Sequence, residues 1–201
     1  MFSQGALSII FPESLKHFDN SLFFKINGEW HNTFFDWLLP LTRETFFWIP
    51  FYFFLLLFAT SNFKKHGWLW VLFLIINVVV SDYVSSTLIK EHIMHLRPCH
   101  DTSITEHVRF LVKYCPSSSG FTSSHACNFF AAAMFIFTTL NGVIGKWRWL
   151  LFLWAFIPSY AQVYVGVHFP TDIIGGAVLG LLLGYIVGYI FNKRVGLMYL
   201  M

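Results

Sequence analysis

The sequence predicts an all-α integral membrane protein, a bundle of five to six transmembrane helices preceded by N-terminal interfacial helices. Three observations carry this expectation. Of 201 residues, 56% are hydrophobic and 11% charged, against about 25% charged in a soluble domain. Five apolar stretches recur at close to membrane-spanning length. Basic residues collect in alternate short loops, as they do when a chain is threaded back and forth through a bilayer.

Residues 1–44 form an arm whose apolar stretches, Ala6–Phe11, Leu22–Phe24 and Phe34–Leu41, are interrupted by Pro12, Gly28, Asp36 and Pro40. None reaches the ~20 apolar residues that a crossing requires, so helices lying in the interface are expected here. The start, MFSQGALSIIFPESLK, lacks the basic n-region of a cleaved signal peptide. Residues 45–194 are expected to form one transmembrane domain, with spans near 45–61, 67–89, 123–141, 147–165 and 171–192. A polar loop over 91–122 separates the second span from the third.

Lys64 and Lys65, Lys146 and Arg148, and Lys193 and Arg194 fall on one side of that arrangement, which the positive-inside rule makes cytoplasmic. The polar loop 91–122 then lies on the other side. The last span carries Asp172, Gly176, Gly180, Gly184 and Gly188 at every fourth position. Such a stripe lets a neighbouring helix approach closely and turns Asp172 into the bundle. The formal charge of +3, with no basic face, gives no reason to expect a nucleic-acid partner. No obligate protein partner is evident.

Three segments carry the chemistry, and all fall on the non-cytoplasmic side: KEHIMHLRP (90–98), FTSSHA (121–126) and GVHFPTD (166–172). Arg97 offers a planar fork for two phosphate oxygens and Lys90 a point charge. Ser123 and Ser124 stand where the third span begins, and a helix N-terminus attracts anions. The same serines also serve as helix caps, and the two roles are compatible. His168 and Asp172 are one helical turn apart. A carboxylate there can hold one imidazole nitrogen and leave the other free to attack, although a plain hydrogen-bonded pair at a helix end has the same spacing. His125 is a second imidazole, suited to protonating a leaving oxygen. Asp82, Ser86 and Lys90 share a helix face. Asp82 either orients Lys90 through Ser86 or is satisfied by another polar neighbour.

Lys90-x6-Arg97-Pro98, Ser123-Ser124-His125 and His168-x3-Asp172 together resemble the three-part signature of the type-2 phosphatidic acid phosphatase superfamily, over residues of about 80–185. The resemblance implies a helical bundle and a cofactor-free, metal-independent hydrolysis of lipid phosphates through a phosphohistidine. His168 would be the nucleophile, Asp172 its orienting partner and His125 the general acid. Lys90, Arg97, Ser123 and Ser124 would hold the phosphate. Two positions depart from the pattern. Ser124 stands where a glycine is usual, and Ala161-Gln162 stands where Ser-Arg is usual, so Gln162 replaces a phosphate-binding arginine with an uncharged donor. The small size and short loops are similar to bacterial undecaprenyl diphosphate phosphatases. That makes undecaprenyl diphosphate the first expectation for substrate, with phosphatidylglycerol phosphate, phosphatidic acid and lipid A phosphates as alternatives. The expected location is the bacterial inner membrane, with the site facing the periplasm and membrane lipids as surroundings.

Two other classes stay open at this stage. His92, His95, Cys99 and His100 cluster closely enough to suggest a zinc-dependent hydrolase. A non-enzymatic transporter is the other, against which stands the placing of charge at one face rather than at the midplane. Cys99 and Cys115 flank one polar loop and are expected to be bridged if it meets an oxidising compartment; two free thiols are the alternative. Cys127 reads as a small buried hydrophobe.

Overall fold

The computed structural model describes residues 12–197; the Ala6–Phe11 stretch and the start of the chain lie outside the described residues. All regular structure in the described residues is helical. The arm contributes α1 (Glu13–Phe24) and α2 (Thr33–Thr42). The bundle contributes α3 (Ile49–Tyr83), α4 (Ser124–Thr139), the short α5 (Asn141–Ile144), α6 (Leu150–Tyr164) and α7 (Pro170–Arg194).

Two stretches, Thr45–Ile89 and Pro170–Arg194, are each long and apolar enough to cross a membrane. The bent pair Ser124–Thr139 with Asn141–Tyr164 passes the same test jointly. The first stretch has 45 residues, which as one straight rod would reach about 67 Å at 1.5 Å per residue, over twice a bilayer core. Instead it folds back at Lys64, whose φ is 51°. Gly67 on the second arm then meets the carbonyl of Ala59 on the first so closely that a Cβ would have no room. A second reversal uses Gly145, also at φ 51°. Apolar helical arms thus stand where the five spans were expected, although by length and composition only those two stretches, or three with the bent pair, are long enough to cross.

The glycine stripe sets the central contact. A Cβ on Gly176, Gly180 or Gly184 would strike the backbone carbonyls of Ser123, Cys127 and Ala131 in turn. Those partners advance along α4 in the same direction as the glycines along α7, so the two helices run parallel and in contact. Their N-terminal ends are level, with the Ser123 N–H donating to the Asp172 carbonyl at 3.0 Å. α6 returns antiparallel between them in sequence: Phe129 meets Trp154 at 5.3 Å and Phe137 meets Trp149 at 5.0 Å.

At the far end, Trp70 donates to Thr139 at 2.7 Å and Phe73 packs on Phe191 at 5.3 Å. Lys64, Lys146, Arg148, Lys193 and Arg194 therefore share the end opposite His168. One apolar cluster, with Trp70, Phe135, Ile136 and Phe191, fills that half. A second, with Phe23, Ile26, Leu39, Tyr164, Val167 and Phe169, underlies the other half and includes the arm.

The arm is bonded to the bundle. Asp19, buried on α1, accepts from the Thr171 N–H at 2.9 Å and from the Thr171 hydroxyl, satisfying the exposed first turn of α7. Asn27 donates to the carbonyls of Tyr164 (2.7 Å) and Arg109 (2.8 Å) and accepts from the Arg109 N–H at 2.8 Å. Asp36 takes a two-pronged pair from Arg109 at 2.9 and 2.8 Å and the Tyr164 hydroxyl at 2.7 Å. Cys99 and Cys115 are joined by a disulfide, and Cys127 is free and buried.

Candidate active site

His168 is delivered by a tight turn after α6. The Gln162 carbonyl accepts from the N–H groups of Val167 and His168 at 3.1 and 3.3 Å, and Gly166 takes φ 87° between them, where a side chain would be strained. Pro170 then opens α7, its fixed φ suited to a first helical turn. Asp172, fully buried, points back over that turn. Its Oδ2 accepts from His168 Nδ1 at 3.1 Å and from the Phe169 N–H at 2.9 Å. Because a carboxylate only accepts, this bond assigns the His168 proton to Nδ1 and leaves Nε2 as a lone pair.

That lone pair faces Arg97. Nη1 of Arg97 donates to His168 Nε2 at 2.9 Å and to the Val167 carbonyl at 3.1 Å. Nε donates to the Ser118 carbonyl at 2.9 Å, and Nη2 to Ser118 Oγ and the Ser119 carbonyl, both at 3.2 Å. All five guanidinium N–H groups are thereby engaged by the protein itself. Arg97, expected to hold the phosphate, ties the 91–122 loop to the imidazole in the resting site. Burial, reinforced by Arg97 and Lys90, pushes His168 down to about 3, so it stands neutral at any physiological pH. Burial and Arg97 likewise bring Lys90 down to about 8.

Asp172 serves a second imidazole that sequence reasoning treated only as a spare base or a zinc ligand. His95 Nδ1 donates to Asp172 Oδ1 at 2.8 Å, and its ring lies against Phe169 at 5.5 Å. The Gly120 N–H donates to the His95 carbonyl at 2.8 Å, fixing the strand of loop before α4. With Cys99 in a disulfide, His95 on Asp172 and His92 on the Leu88 carbonyl at 2.8 Å, three of the four residues proposed for zinc are turned to other partners. No group able to hold a metal ion is present among the described residues.

Ser123 caps α4, its hydroxyl accepting from the Ala126 N–H at 3.4 Å. Ser124 is turned to Ser85 at 3.1 Å, and Ser85 to Thr122 at 3.0 Å. Gln162 is buried with Nε2 lacking any hydrogen-bond partner among the described residues. The relay from Asp82 to Lys90 is not formed. Ser86 gives its hydroxyl to the Asp82 carbonyl at 2.6 Å and reaches the Asp82 carboxylate only at 3.5 Å, while that carboxylate accepts from Asn128 at 2.9 Å. A helical Ser bonds its own i−4 carbonyl more easily than it bridges two side chains.

His125 and Ser124 lie at the wall of a cavity of about 780 Å³ between the arms of α3, α4 and α6. Tyr52, Leu74, Val78 and Phe129 line its apolar length, with Asp82 and Asn128 beside His125. Tyr52 lines this cavity, while its neighbours Trp48 and Phe51 pack on Trp154 at 6.0 and 4.8 Å. Arg43, which sequence reasoning passed over, is buried nearby.

A neutral buried imidazole backed by a carboxylate, a second imidazole at an apolar cavity and surrounding cations define a membrane phosphatase. The family model described as "PAP2 superfamily" matches residues 67–195, and the chain belongs to that family of lipid phosphatases.

Its relatives include a lipid A 4'-phosphatase of Bacteroides thetaiotaomicron, 28% identical over 84% of this chain and 74% of that protein. An undecaprenyl-diphosphatase of Sulfolobus acidocaldarius is 31% identical over 66% of this chain and 58% of that protein. Among solved structures, the PAP2-type phosphatidylglycerolphosphate phosphatase of Bacillus subtilis superposes with TM-score 0.65 at 22% identity, covering 94% of this chain and 92% of that one. Aquifex aeolicus LpxE superposes with TM-score 0.59 at 26% identity, covering 88% and 96%.

Proposed function

We propose that this membrane phosphatase transfers the terminal phosphate of a cell-envelope lipid to His168 Nε2 and then to water, without a metal ion. The observation that carries the reading is the bonding of His168: Nδ1 is held by Asp172, and Nε2 faces the Arg97 guanidinium. Arriving phosphate would take the place of Nε2 as acceptor for Arg97 Nη1. The same N–H would then face an equatorial oxygen as the P–N bond forms and the P–O bond to the lipid breaks, in line.

The lipid oxygen leaves toward His125, which donates its proton and lies between the phosphate pocket and the apolar cavity that would take the chain. Water then attacks phosphorus, gives a proton back to His125 and releases phosphate and free His168. Asp172 holds the imidazole in one tautomer and offsets the positive charge that develops on it. Lys90 adds charge to the phosphate pocket, and Ser123 with Ser124 contributes N–H groups at the start of α4.

For substrate we favour a lipid A phosphate over undecaprenyl diphosphate. The relative with that activity aligns over more of the chain. The Asp82 carboxylate beside His125 also suits a headgroup with hydroxyl or amide donors next to the phosphate, which a polyprenyl chain lacks. The clustering of basic loops at the opposite end supports a site on the periplasmic face of the inner membrane. Residues 1–44 are read as an arm of the catalytic unit.

The test is phosphate release from lipid A, undecaprenyl diphosphate, phosphatidylglycerol phosphate and phosphatidic acid, in excess chelator, by wild type and His168→Ala. Release from lipid A that the variant abolishes is expected. Equal release by the variant would refute the mechanism, and inhibition by chelator would refute metal independence.

A further inference from the structure

Arg43 follows the last residue of α2. It is 8% exposed, and its Nε is buried without a hydrogen-bond partner. The carboxylate of Glu44, at 3.8 Å from Nε, is beyond hydrogen-bond reach. A buried guanidinium left in this state destabilises a fold, because the water it gave up is not replaced. Arg97 shows the contrast, with every N–H spent on the protein.

Its surroundings are the active site. Arg43 lies within electrostatic reach of both His125 and Arg97. The chain around it is well anchored. Phe35 contacts Tyr164 at 6.5 Å and Trp48 contacts Trp154 at 6.0 Å, so Arg43 lies alongside the stretch of α6 that carries Gln162. Trp48 Nε1 donates to the Thr42 carbonyl at 2.7 Å, fixing the turn at Arg43 itself. Thr45, two residues on, lines the same cavity as His125.

We propose that Arg43 is a phosphate-binding residue, supplying from the N-terminal arm the guanidinium that position 162 lacks. This rests on the phosphatase reading and extends it. With Nε and Nη2 of Arg97 committed to the loop and only Nη1 released when phosphate displaces His168 Nε2, Arg43 and Lys90 supply the further donors for an incoming anion. Its fork is planar and matches two phosphate oxygens where Lys90 matches one.

The test uses full-length protein in detergent, with inorganic phosphate as the probe and p-nitrophenyl phosphate as the reporter substrate. Arg43→Met keeps the apolar stem and removes a buried charge whose ion pair with Glu44 is loose, at 3.8 Å. Thermal stability should hold or rise, while the inhibition constant for phosphate and KM weaken at least tenfold. Adding Gln162→Arg to that variant should restore much of the phosphate affinity, and Arg43→Lys should fall between.

An inhibition constant within twofold of wild type in Arg43→Met would overturn the proposal. So would a Met variant that no longer folds, since that would show a structural partner for the guanidinium. Wild-type and His168→Ala measurements keep the two readings separate. If His168→Ala is inactive while Arg43→Met binds phosphate normally, the phosphatase reading stands and the role of Arg43 fails.

Discussion

Lys90 should impose an alkaline limb on the enzyme. Its ammonium sits just past the short π-helical turn Val84–Ile89 that continues α3, pushed down to about 8 by burial and then by Arg97. The charged form holds phosphate, so the sign follows directly: affinity is full below pH 8 and is lost as pH rises through it. At pH 9 about one-tenth of Lys90 remains charged. Accordingly kcat/KM should drop roughly tenfold between pH 7.5 and 9, tracking the free enzyme. Bound phosphate restores the charge on Lys90, so kcat at saturation should fall much less. Above pH 7.5 a phosphate monoester is already doubly ionised (second pKa about 6), which keeps the substrate from contributing to the limb. Lys90→Arg keeps its charge throughout this range and should give a profile flat to pH 9.5, at a lower plateau. The assay is phosphate release in mixed micelles across pH 7–9.5. An unchanged limb in Lys90→Arg, or no limb in wild type, would refute the assignment.

Removing the proposed acid should depend on the leaving group: His125→Ala should lose lipid hydrolysis by about 10²–10⁴-fold yet retain more activity on p-nitrophenyl phosphate, whose oxygen needs no proton. Equal loss on both would argue against an acid role. Gly180→Val should cost about 1–3 kcal/mol or more by forcing α4 from α7, read as a lower melting temperature in detergent, whereas Val178→Ala on the exposed face should leave it nearly unchanged. Asn27→Ala removes three hydrogen bonds, one buried and two partly buried, between the arm and the segments flanking His168; a loss of about 2–3 kcal/mol is expected, with thermal unfolding as the check. Alkylation of unreduced protein followed by mass spectrometry should leave Cys99 and Cys115 unlabelled, and labelling of both would contradict the bridge.

The spans and the three chemical segments were legible because their signals are local. A run of apolar residues, a four-residue glycine period and a His-x3-Asp spacing each sit within a few turns of chain. The arm was legible only as not crossing. Asp19 caps a helix 152 residues away, and Asn27 reaches 137 residues to Tyr164; no pattern in 1–44 announces partners at that distance. The signal that could have found them was the presence of Asp19, Asn27, Asp36 and Arg43 in a stretch otherwise rich in Phe, Trp and Leu. Polar groups there need partners, and the chemical segments were the place to look. His95 was hidden differently: its neighbours in sequence suggested metal, and only the turn of α7 brought Asp172 to it. Asp82 was expected to serve Lys90 through Ser86, but a π-helical turn intervenes and Asn128 on another helix holds its carboxylate.

Because α4 and α7 run parallel, they must enter the bilayer in the same sense, with α6 threaded between them. During synthesis the chain therefore emplaces Lys90, Arg97 and His125 one full hairpin before His168 and Asp172. On the proposed mechanism, a nascent or truncated polypeptide ending before residue 168 would own a place to dock an anion but no nitrogen to attack it. Turnover would then begin only when the last helix packs against the first of the pair, glycine on carbonyl, and such an enzyme would stay silent until its membrane insertion was finished.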